Sequence, residues 1–259
     1  MGHRIKVCTF NVRNDNLIPD LTTEMIKKNY HKLLIDYRID ILCTQELIES
    51  TMQVIRDNFS NYHILGDYRY GKGRLVKKIK TLKKYNESNA IITHFPVVDT
   101  KTYSLPWLPR SIKEIYNGIF KYRSLTPRII TLSNLKIGEE EIVVINTHLD
   151  CHIESIKNSQ LKKVEKILRK QKKPIILTGD FNTDKGDPIF TRFIALLNQM
   201  GLKRVEYNQK TFAKSKEDVA IDHIFIPNTW KISKLEAIKD PELEHYSDHY
   251  PICIEVEIG

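Results

Sequence analysis

The chain has 259 residues, 41% of them hydrophobic, and a formal net charge of +9 at pH 7 from 41 Lys and Arg against 32 Asp and Glu. This length and apolar content are enough for one large core or two small ones. No apolar run is long enough to span a membrane, and the N-terminal residues lack the apolar core of a signal peptide. The composition therefore excludes a protein built of apolar membrane-spanning helices, and we expect no stable membrane anchor.

The four cysteines, Cys8, Cys43, Cys151 and Cys253, show neither a CxxC pair nor the Cys/His spacing of a zinc site. Three of them lie inside apolar runs, where a free cysteine acts as a small hydrophobic residue. This usage is typical of a reduced compartment, so we expect a cytoplasmic protein.

Strand-like runs recur along the whole chain. They are rich in Ile and Val and bounded by polar, Pro or Gly residues, and several are almost continuously apolar, as strands covered on both faces are. In chain order the predicted strands are residues 5–12, 39–46, 89–96, 128–135, 141–149, 174–182, 219–227 and 251–258.

Helical patterns lie between these strands. Apolar residues at helical spacing predict one helix near residues 20–37 and another near 153–170. A third is predicted from Asp187, which can cap it, through Pro188 in its first turn to Gly201 at its end. Strands and helices mixed along one chain predict a layered α/β protein, and this many strands favour two packed sheets over one wide sheet. With no linker or repeat in the sequence, we expect a single domain over residues 1–259.

Polar residues able to bind a metal or a phosphate stand at the ends of several predicted strands. Ligand sites in layered α/β proteins often lie where strand ends meet, so we expect these side chains to converge on one cleft. The residues are Asn11, Glu46, His148, Asp180, Asn182 and Asp222, with Asp248 and His249 just before the last strand.

One of these strand ends, residues 176–184, reads ILTGDFNTD. In a continued strand Asp180 and Asn182 would project to one face while Phe181 turned to the other. A carboxylate beside an amide suits a water or a phosphate oxygen, and it equally suits an Asx-type turn. On this stretch alone both interpretations stay open.

The ordered pieces TFNVR, TQE, INTHLD, TGDFN, IDHIF and SDHYPI span residues 9 to 252. In that order they resemble the endonuclease/exonuclease/phosphatase superfamily. Each piece is weak alone, whereas the ordered set is specific. The resemblance implies a four-layer α/β/β/α sandwich with two central mixed β-sheets. It also implies hydrolysis of a phosphate ester assisted by Mg²⁺ or Mn²⁺.

By that resemblance Glu46 is the principal metal-binding carboxylate, and Asn11 and Asp248 are further residues around the metal. A hard divalent cation takes oxygen ligands and keeps several waters, so one or two carboxylates suffice. Asp180 resembles the residue that orients or deprotonates the attacking water. Asn182 resembles the amide that binds a phosphate oxygen.

His249 resembles the histidine that faces the scissile phosphate, and Asp222 the carboxylate that fixes its tautomer, as in the orienting pair of a catalytic triad. His148 resembles a second histidine near the phosphate or the leaving group. Arg128 opens a strand in TPRIITL, where many relatives carry an arginine that reaches phosphate or the metal-bound carboxylates. For each of these residues a structural role in a turn, a strand end or a helix cap stays open.

Two segments bear on the substrate. Residues 69–84, RYGKGRLVKKIKTLKK, are dense in Lys and Arg, and we hypothesise that they bind phosphates beyond the scissile one. Residues 103–123, YSLPWLPRSIKEIYNGIFKYR, place aromatic residues among cations, which suits stacking on unpaired bases. The same segment suits an amphipathic helix on a membrane face, and a solvated loop and helix would have the same composition.

The positive net charge favours a polyanionic partner. We therefore expect a monomeric, metal-dependent phosphoesterase, with a nuclease or nucleotide phosphodiesterase as the first hypothesis and nucleic acid as the favoured substrate. The second is a phosphatase or phosphodiesterase acting on lipid head groups, inositol phosphates or other small phosphoesters. The third is a non-catalytic binding protein that keeps the fold.

Overall fold

Two six-stranded β-sheets form the centre of the computed structural model, which describes residues 3–71, 84–109, 111–117, 126–207, 210–213 and 219–258. In the first sheet the strand order is β11-β12-β1-β2-β4-β3. Its strands are β1 (His3–Asn11), β2 (Ile41–Leu47), β3 (His63–Leu65), β4 (Ser88–Thr93), β11 (Lys231–Ala237) and β12 (Ile252–Ile258). β1 and β2 are parallel and the other neighbours are antiparallel, so the sheet is mixed.

The second sheet has the order β5-β6-β7-β8-β10-β9. Its strands are β5 (Val97–Leu105), β6 (Arg128–Ile137), β7 (Glu140–His148), β8 (Ile175–Asp180), β9 (Leu202–Arg204) and β10 (Asp222–Pro227). β7 and β8 are parallel, and the remaining pairs are antiparallel. Each sheet therefore has one parallel pair of strands near its middle.

Helices cover the outer face of each sheet. The first sheet carries α1 (Thr23–His31), which continues as a π-helical turn over Lys32–Asp36, with α2 (Glu49–Asn58) and α6 (Pro241–Tyr246); the second carries α4 (Glu154–Leu168) and α5 (Pro188–Gln199). A short helix, α3 (Ile112–Tyr116), lies between β5 and β6 in the chain. The predicted four-layer sandwich with two mixed sheets is confirmed.

The inner faces of the two sheets meet in an apolar core. Val7 and Ile41 of the first sheet lie in one buried cluster with Val144 and Ile224 of the second. Alternate side chains of a strand point to opposite faces, so the intervening residues pack under the helices instead. Strands buried on both faces explain why the sequence runs are almost continuously apolar.

A polar bridge crosses this apolar core. The Asn146 side chain, from β7, donates its two amide hydrogens to the carbonyl oxygens of Thr44 (2.8 Å) and Ala90 (2.9 Å) in the first sheet. Its oxygen accepts a hydrogen bond from Gln45 Nε2 at 2.7 Å. Buried polar groups cost free energy unless they are paired, so this network favours one relative position of the two sheets.

Each predicted strand corresponds to an observed one, and the three predicted helices correspond to α1, α4 and α5. The sequence patterns miss β3, β5, β9 and β11 and the helices α2 and α6, while α3 lies in the segment 103–123, for which a helix is one of the alternatives. β5 and β11 lie at sheet edges, and most of their side chains are exposed or half-exposed. Their sequences therefore lack the apolar pattern that a buried strand face produces. The predicted strand 174–182 also ends early, at Asp180.

The segment 103–123 does not form one long amphipathic helix in the part that is described. Its first residues, to Leu105, belong to β5, and helix occurs over Ile112–Tyr116. Residue 110 and residues 118–125 lie outside the described ranges. Within those ranges no helix combines the length and the apolar character needed to cross a membrane.

Gly179, just before Asp180, is constrained by its neighbour in β7. Its φ is +149°, and a Cβ at this position would overlap the carbonyl oxygen of Thr147. The glycine thus permits the close approach of β8 to β7 at the point where Asp180 is placed.

We expect Gly179→Ala to lower the free energy of unfolding by about 2 to 4 kcal/mol, because it adds both a backbone clash and strain at positive φ. Gly201→Ala is the matched control, since Gly201 also has positive φ (+80°) but has open space around its Cβ position. Urea denaturation should show a loss of about 1 kcal/mol for the control. Equal losses for the two variants would contradict the steric role of Gly179.

Candidate active site

The predicted site residues come together at one edge of the two sheets. The parallel strands β1 and β2 end near this edge with Asn11 and Glu46, and the parallel strands β7 and β8 end there with His148 and Asp180. The antiparallel strands β6 and β10 begin there, with Arg128 and Asp222. The direction of each strand thus decides which of its ends carries a polar residue.

Asp180 lies at the centre of this arrangement and is 1% exposed. Its Oδ2 accepts a hydrogen bond from Asn11 Nδ2 at 3.0 Å, which joins the two sheets at the site. The same oxygen lies 3.6 Å from His148 Nε2 and 3.8 Å from His249 Nε2. Both histidines and the asparagine therefore face one carboxylate.

The strand ends at Asp180 because the chain turns. Asp180 Oδ1 accepts a hydrogen bond from the Asn182 backbone N–H at 2.8 Å, and Asn182 has a left-handed φ of 50°. This is the Asx-type turn that the sequence left open, and it replaces the alternation expected for a continued strand. Asn182 Nδ2 donates to the Leu149 carbonyl at 3.0 Å, and one amide hydrogen is left for another acceptor.

His249 and Asp222 are hydrogen-bonded, as the sequence predicts. His249 Nδ1 lies 2.8 Å from Asp222 Oδ2, and both residues are buried. Burial by itself lowers the pKa of His249, but the charge and hydrogen bond of Asp222 outweigh it and raise the pKa to about 10. The imidazole is then protonated at neutral pH and directs Nε2 toward Asp180.

The carboxyl group of Asp180 is a weaker acid than an ordinary aspartic acid side chain. Burial, followed by the nearby charge of Asp222, raises the pKa of Asp180 to about 7, although His249 and the hydrogen bond from Asn11 oppose the shift. A carboxylate with this pKa can accept a proton near neutral pH, as a general base requires.

His148 and Arg128 form a second buried pair. One guanidinium nitrogen of Arg128 lies 3.1 Å from Nδ1 and 3.2 Å from Nε2 of His148, which places it against the ring. Burial, and then the charge of Arg128, lowers the pKa of His148 well below its ordinary value. The imidazole is therefore neutral, and within the described ranges no carboxylate forms a salt bridge with Arg128. The site holds a buried positive charge that an anion would neutralise.

Glu46 occupies an irregular point in β2. The pairing of β2 with β4 shifts register between Thr44 and Leu47, and Glu46 has a φ of 64°. Bulges of this kind re-aim a side chain next to an active site. Glu46 Oε2 accepts a hydrogen bond from the Asn14 backbone N–H at 2.9 Å. This bond holds the carboxylate beside the end of β1.

The donor set around Glu46 fits a hard divalent cation. Glu46 Oε1 lies 3.4 Å from Asn11 Nδ2, and Asn11 in turn contacts Asp180, so two carboxylates stand beside one amide. Oxygen ligands of this kind are those that Mg²⁺ and Mn²⁺ prefer. Asn11 presents its NH₂ group to both carboxylates and would ligate a metal through oxygen only after its amide turned over.

A second group of possible ligands lies close by. One atom from each of Asp180, Asp222 and His249 falls within 4.8 Å of the others, and all three residues are buried. A metal bound to Asp222 and to His249 Nδ1 would replace the 2.8 Å hydrogen bond between them. Asp248 lies next to His249 in the chain and is half-buried, with its negative charge contributing to the raised pKa of that histidine.

Arg69 and Glu87 lie in the wall of the site. The sequence analysis misses Glu87 and places Arg69 in the segment 69–84 that is hypothesised to bind flanking phosphates. The two side chains form an ion pair and are each 7% exposed. Burial and the charge of Arg128 lower the pKa of Arg69 to about 9, with Glu46 close enough to oppose the shift. Arg69 is thus buried and does not belong to an exposed basic surface. Its place in a lysine-rich segment concealed it, and residues 72–83 of that segment lie outside the described ranges.

A family model described as the endonuclease/exonuclease/phosphatase family matches residues 8–249. The chain belongs to this family. Among sequences, it is similar to a UPF0294 protein of Vibrio campbellii (strain ATCC BAA-1116), with 27% identity over 151 residues. That match covers 58% of this chain and 46% of the relative's length.

Solved structures of family proteins share the fold along the whole chain. The endonuclease/exonuclease/phosphatase of Bacteroides vulgatus superposes with a TM-score of 0.78 and 22% identity, covering 99% of this chain and 100% of that chain. A mannosyl-6-phosphatase of Bacteroides thetaiotaomicron gives 0.69 and 19%, covering 97% and 99%. D. rerio TDP2, complexed with a single-stranded DNA product, gives 0.70 and 16%, covering 98% of each chain. At these identities the likeness establishes the fold of this family member, while its substrate remains to be argued from its own residues.

The pKa of Asp180 predicts an unusual stability profile for the metal-free protein. Since the folded-state pKa is raised from 3.8 to about 7, the stabilising contribution of the protonated carboxyl is lost as the pH rises toward and through that value. Asp180→Asn has no carboxyl to ionise and does not lose this contribution. The unfolding free energy of the variant minus that of the wild type should therefore increase by about 2 kcal/mol between pH 5 and pH 8.

Urea denaturation of both proteins in EDTA at the two pH values measures this difference. Asp184→Asn, at a nearby half-buried carboxyl, is the control and should show no comparable growth. A pH-independent difference between the wild type and Asp180→Asn would contradict the raised pKa.

Proposed function

We propose that this protein is a divalent-metal-dependent hydrolase of phosphate esters. The observation that supports it most directly is the position of Asp180. This buried carboxylate has a pKa near 7 and faces His249, which Asp222 orients. A poised base, an oriented imidazolium and a buried guanidinium without a carboxylate partner among the described residues match what hydrolysis of an anionic ester requires.

In this proposal Asp180 accepts a proton from a water that attacks phosphorus, while the bond to the leaving oxygen breaks. The imidazolium of His249, held by Asp222, and the guanidinium of Arg128 stabilise negative charge on the phosphate oxygens. The remaining amide hydrogen of Asn182 is available to one of these oxygens. The neutral ring of His148, 3.6 Å from Asp180, limits the space around the water.

Glu46 and Asp248, with Asn11, are the residues that we propose to hold the metal. A bound Mg²⁺ or Mn²⁺ would supply Lewis-acid polarisation of a phosphoryl oxygen. Glu46 is fixed in place by the Asn14 backbone at 2.9 Å, so its carboxylate is already oriented toward the cleft. Preorganised charge of this kind requires little rearrangement during the reaction.

For the substrate we favour nucleic acid or a nucleotide diester. The net charge of +9 supports it, as does the buried Arg128 in the cleft. Trp107, which is 37% exposed, follows the β5 end that pairs with Arg128, so we propose that it stacks on a base near the site.

A small phosphoester is the second candidate. The observation in its favour is that a mannosyl-6-phosphatase shares the fold over 97% of this chain. Arg69 also weakens the case for an extended basic surface, since it is buried against Glu87. A compact cleft lined by buried groups can hold one phosphate without contacting its neighbours.

A panel of substrates separates these candidates. Single- and double-stranded DNA, RNA, sphingomyelin, inositol phosphates, sugar phosphates and a bis-nitrophenyl phosphodiester would each be incubated with Mg²⁺ and with EDTA. We expect metal-dependent cleavage, fastest on a nucleic acid. Hydrolysis of none of them, or hydrolysis that survives EDTA, would overturn the proposed function.

Glu46→Gln tests the metal site directly. The substitution keeps the size of the side chain but removes its charge, so we expect Mg²⁺ affinity in calorimetry to fall at least about tenfold while the fold is retained. Glu49→Gln is the matched control, because Glu49 lies in α2 and its Oε1 lies 3.6 Å from Arg56 on the surface. Unchanged affinity in Glu46→Gln would place the metal elsewhere in the cleft.

Substitutions in the lysine-rich segment, residues 69–84, distinguish a nucleic-acid substrate from a small phosphoester. We propose that Lys77, Lys78, Lys80 and Lys83 contact phosphates flanking the scissile one, and each such contact adds about 0.7 to 0.9 to the logarithmic salt slope of binding. Replacing all four with alanine should flatten that slope by about 2 to 3 units if three of them bind phosphate. Hydrolysis of the nitrophenyl diester should hardly change, because it has no flanking phosphates. An unchanged salt slope would favour the small-phosphoester candidate.

A further inference from the structure

One oxygen of the orienting carboxylate has no partner. Asp222 Oδ2 is bonded to His249 Nδ1 at 2.8 Å, whereas Oδ1 is buried and has no hydrogen-bond partner among the described residues. Leaving a buried carboxylate oxygen unpaired is costly, so a donor close to it would stabilise the charge that supports the imidazolium.

The Tyr207 hydroxyl is a buried donor that also has no partner within the described part of the chain. Its ring packs against the apolar core between the sheets, the same cluster that contains Ile224 of β10. Asp222 and Ile224 are two residues apart in one strand, so their side chains point to the same face of the sheet. Tyr207 and Asp222 therefore share the inner face of the second sheet.

The backbone also brings Tyr207 toward Asp222. β9 runs antiparallel to β10, with Arg204 opposite Phe225, and the pairing continues as Val205 N–H donates to the Ile224 carbonyl at 2.8 Å. The backbone pairing between β9 and β10 ends beyond this point, because the N–H of Asp222 donates to the Thr211 hydroxyl at 3.1 Å instead. If the same register is continued, Tyr207, two residues beyond Val205, falls opposite Asp222.

The electrostatic environment agrees with this placement. Burial, and after it the charge of Asp222, raises the pKa of Tyr207 well above its ordinary value. A hydroxyl that is harder to ionise stays protonated and remains a hydrogen-bond donor.

We propose that Tyr207 is a positioning residue whose hydroxyl donates to Asp222 Oδ1 through one bridging water and so fixes the carboxylate that orients His249. A water with two or more polar partners is a regular part of such buried sites. The proposal rests on the proposed function for its effect on catalysis, but the contact itself concerns only the folded protein. Tyr207 touches neither substrate nor metal in this scheme.

Tyr207→Phe removes the hydroxyl and keeps the ring. We expect kcat on the bis-nitrophenyl diester to fall about tenfold with KM unchanged, since a hydrogen bond to a charged group is lost while the cleft is intact. Tyr62→Phe is the matched control: Tyr62 is also half-buried, and its hydroxyl donates to the Leu34 carbonyl at 3.3 Å, on the helix side of the first sheet. The control should leave kcat unchanged.

Two further measurements separate positioning from mere packing. In the Asp222→Asn background, Tyr207→Phe should have no additional effect on kcat, because its target is already altered. In the metal-free protein labelled with ¹⁵N-histidine, the Nδ1–H proton resonance of His249 should move downfield in Tyr207→Phe, as more charge remains on the oxygen that it contacts. The same resonance should be unmoved in Tyr62→Phe.

An unmoved His249 resonance with equal kcat losses in the wild-type and Asp222→Asn backgrounds would overturn the proposal. The chemical shift of His249 is measured without substrate. It therefore tests the contact between Tyr207 and Asp222 even if no member of the substrate panel is hydrolysed. A shifted resonance together with an inactive panel would support the contact and reject the proposed function.

Discussion

The position of one sheet relative to the other is the constraint on which the site depends. Asn11 and Glu46 come from the first sheet, and Asp180 and Asp222 from the second. An apolar interface alone does not define a unique alignment, because it is non-directional. The buried bridge from Asn146 to Thr44 and Ala90 supplies direction, and the 3.0 Å bond from Asn11 to Asp180 extends the same connection into the cleft.

Burial and neighbouring charges hold the two histidines of the cleft in different protonation states. His249 is held protonated by Asp222, while His148 is held neutral beside Arg128. Two histidines of the same chemistry thus take opposite forms within reach of one carboxylate. The difference follows from the sign of the neighbouring charge, which is the usual way that proteins separate acid and base roles.

The sequence predicts the centre of this structure better than its edges. The continuous apolar runs of the central strands and the polar residues at their ends locate Asp180, Glu46 and His249 without any contact information. β11 is not recognisable in the same way, since its face is largely exposed and its sequence, KISKLEA, carries no buried alternation. Arg69 could not be distinguished from surface lysines, because its partner Glu87 lies beyond the intervening segment. Tyr207 follows a strand of only three residues, too short to show a pattern.

Arg128 has a consequence for how the protein behaves in ordinary solutions. Arg128 is 9% exposed, and its guanidinium contacts a neutral imidazole, without a carboxylate to balance it in the described part of the chain. This guanidinium can pair with a small oxyanion, whether or not that anion can react. Phosphate or sulfate ions from a buffer would then bind beside Arg128 and compete there with any other anion.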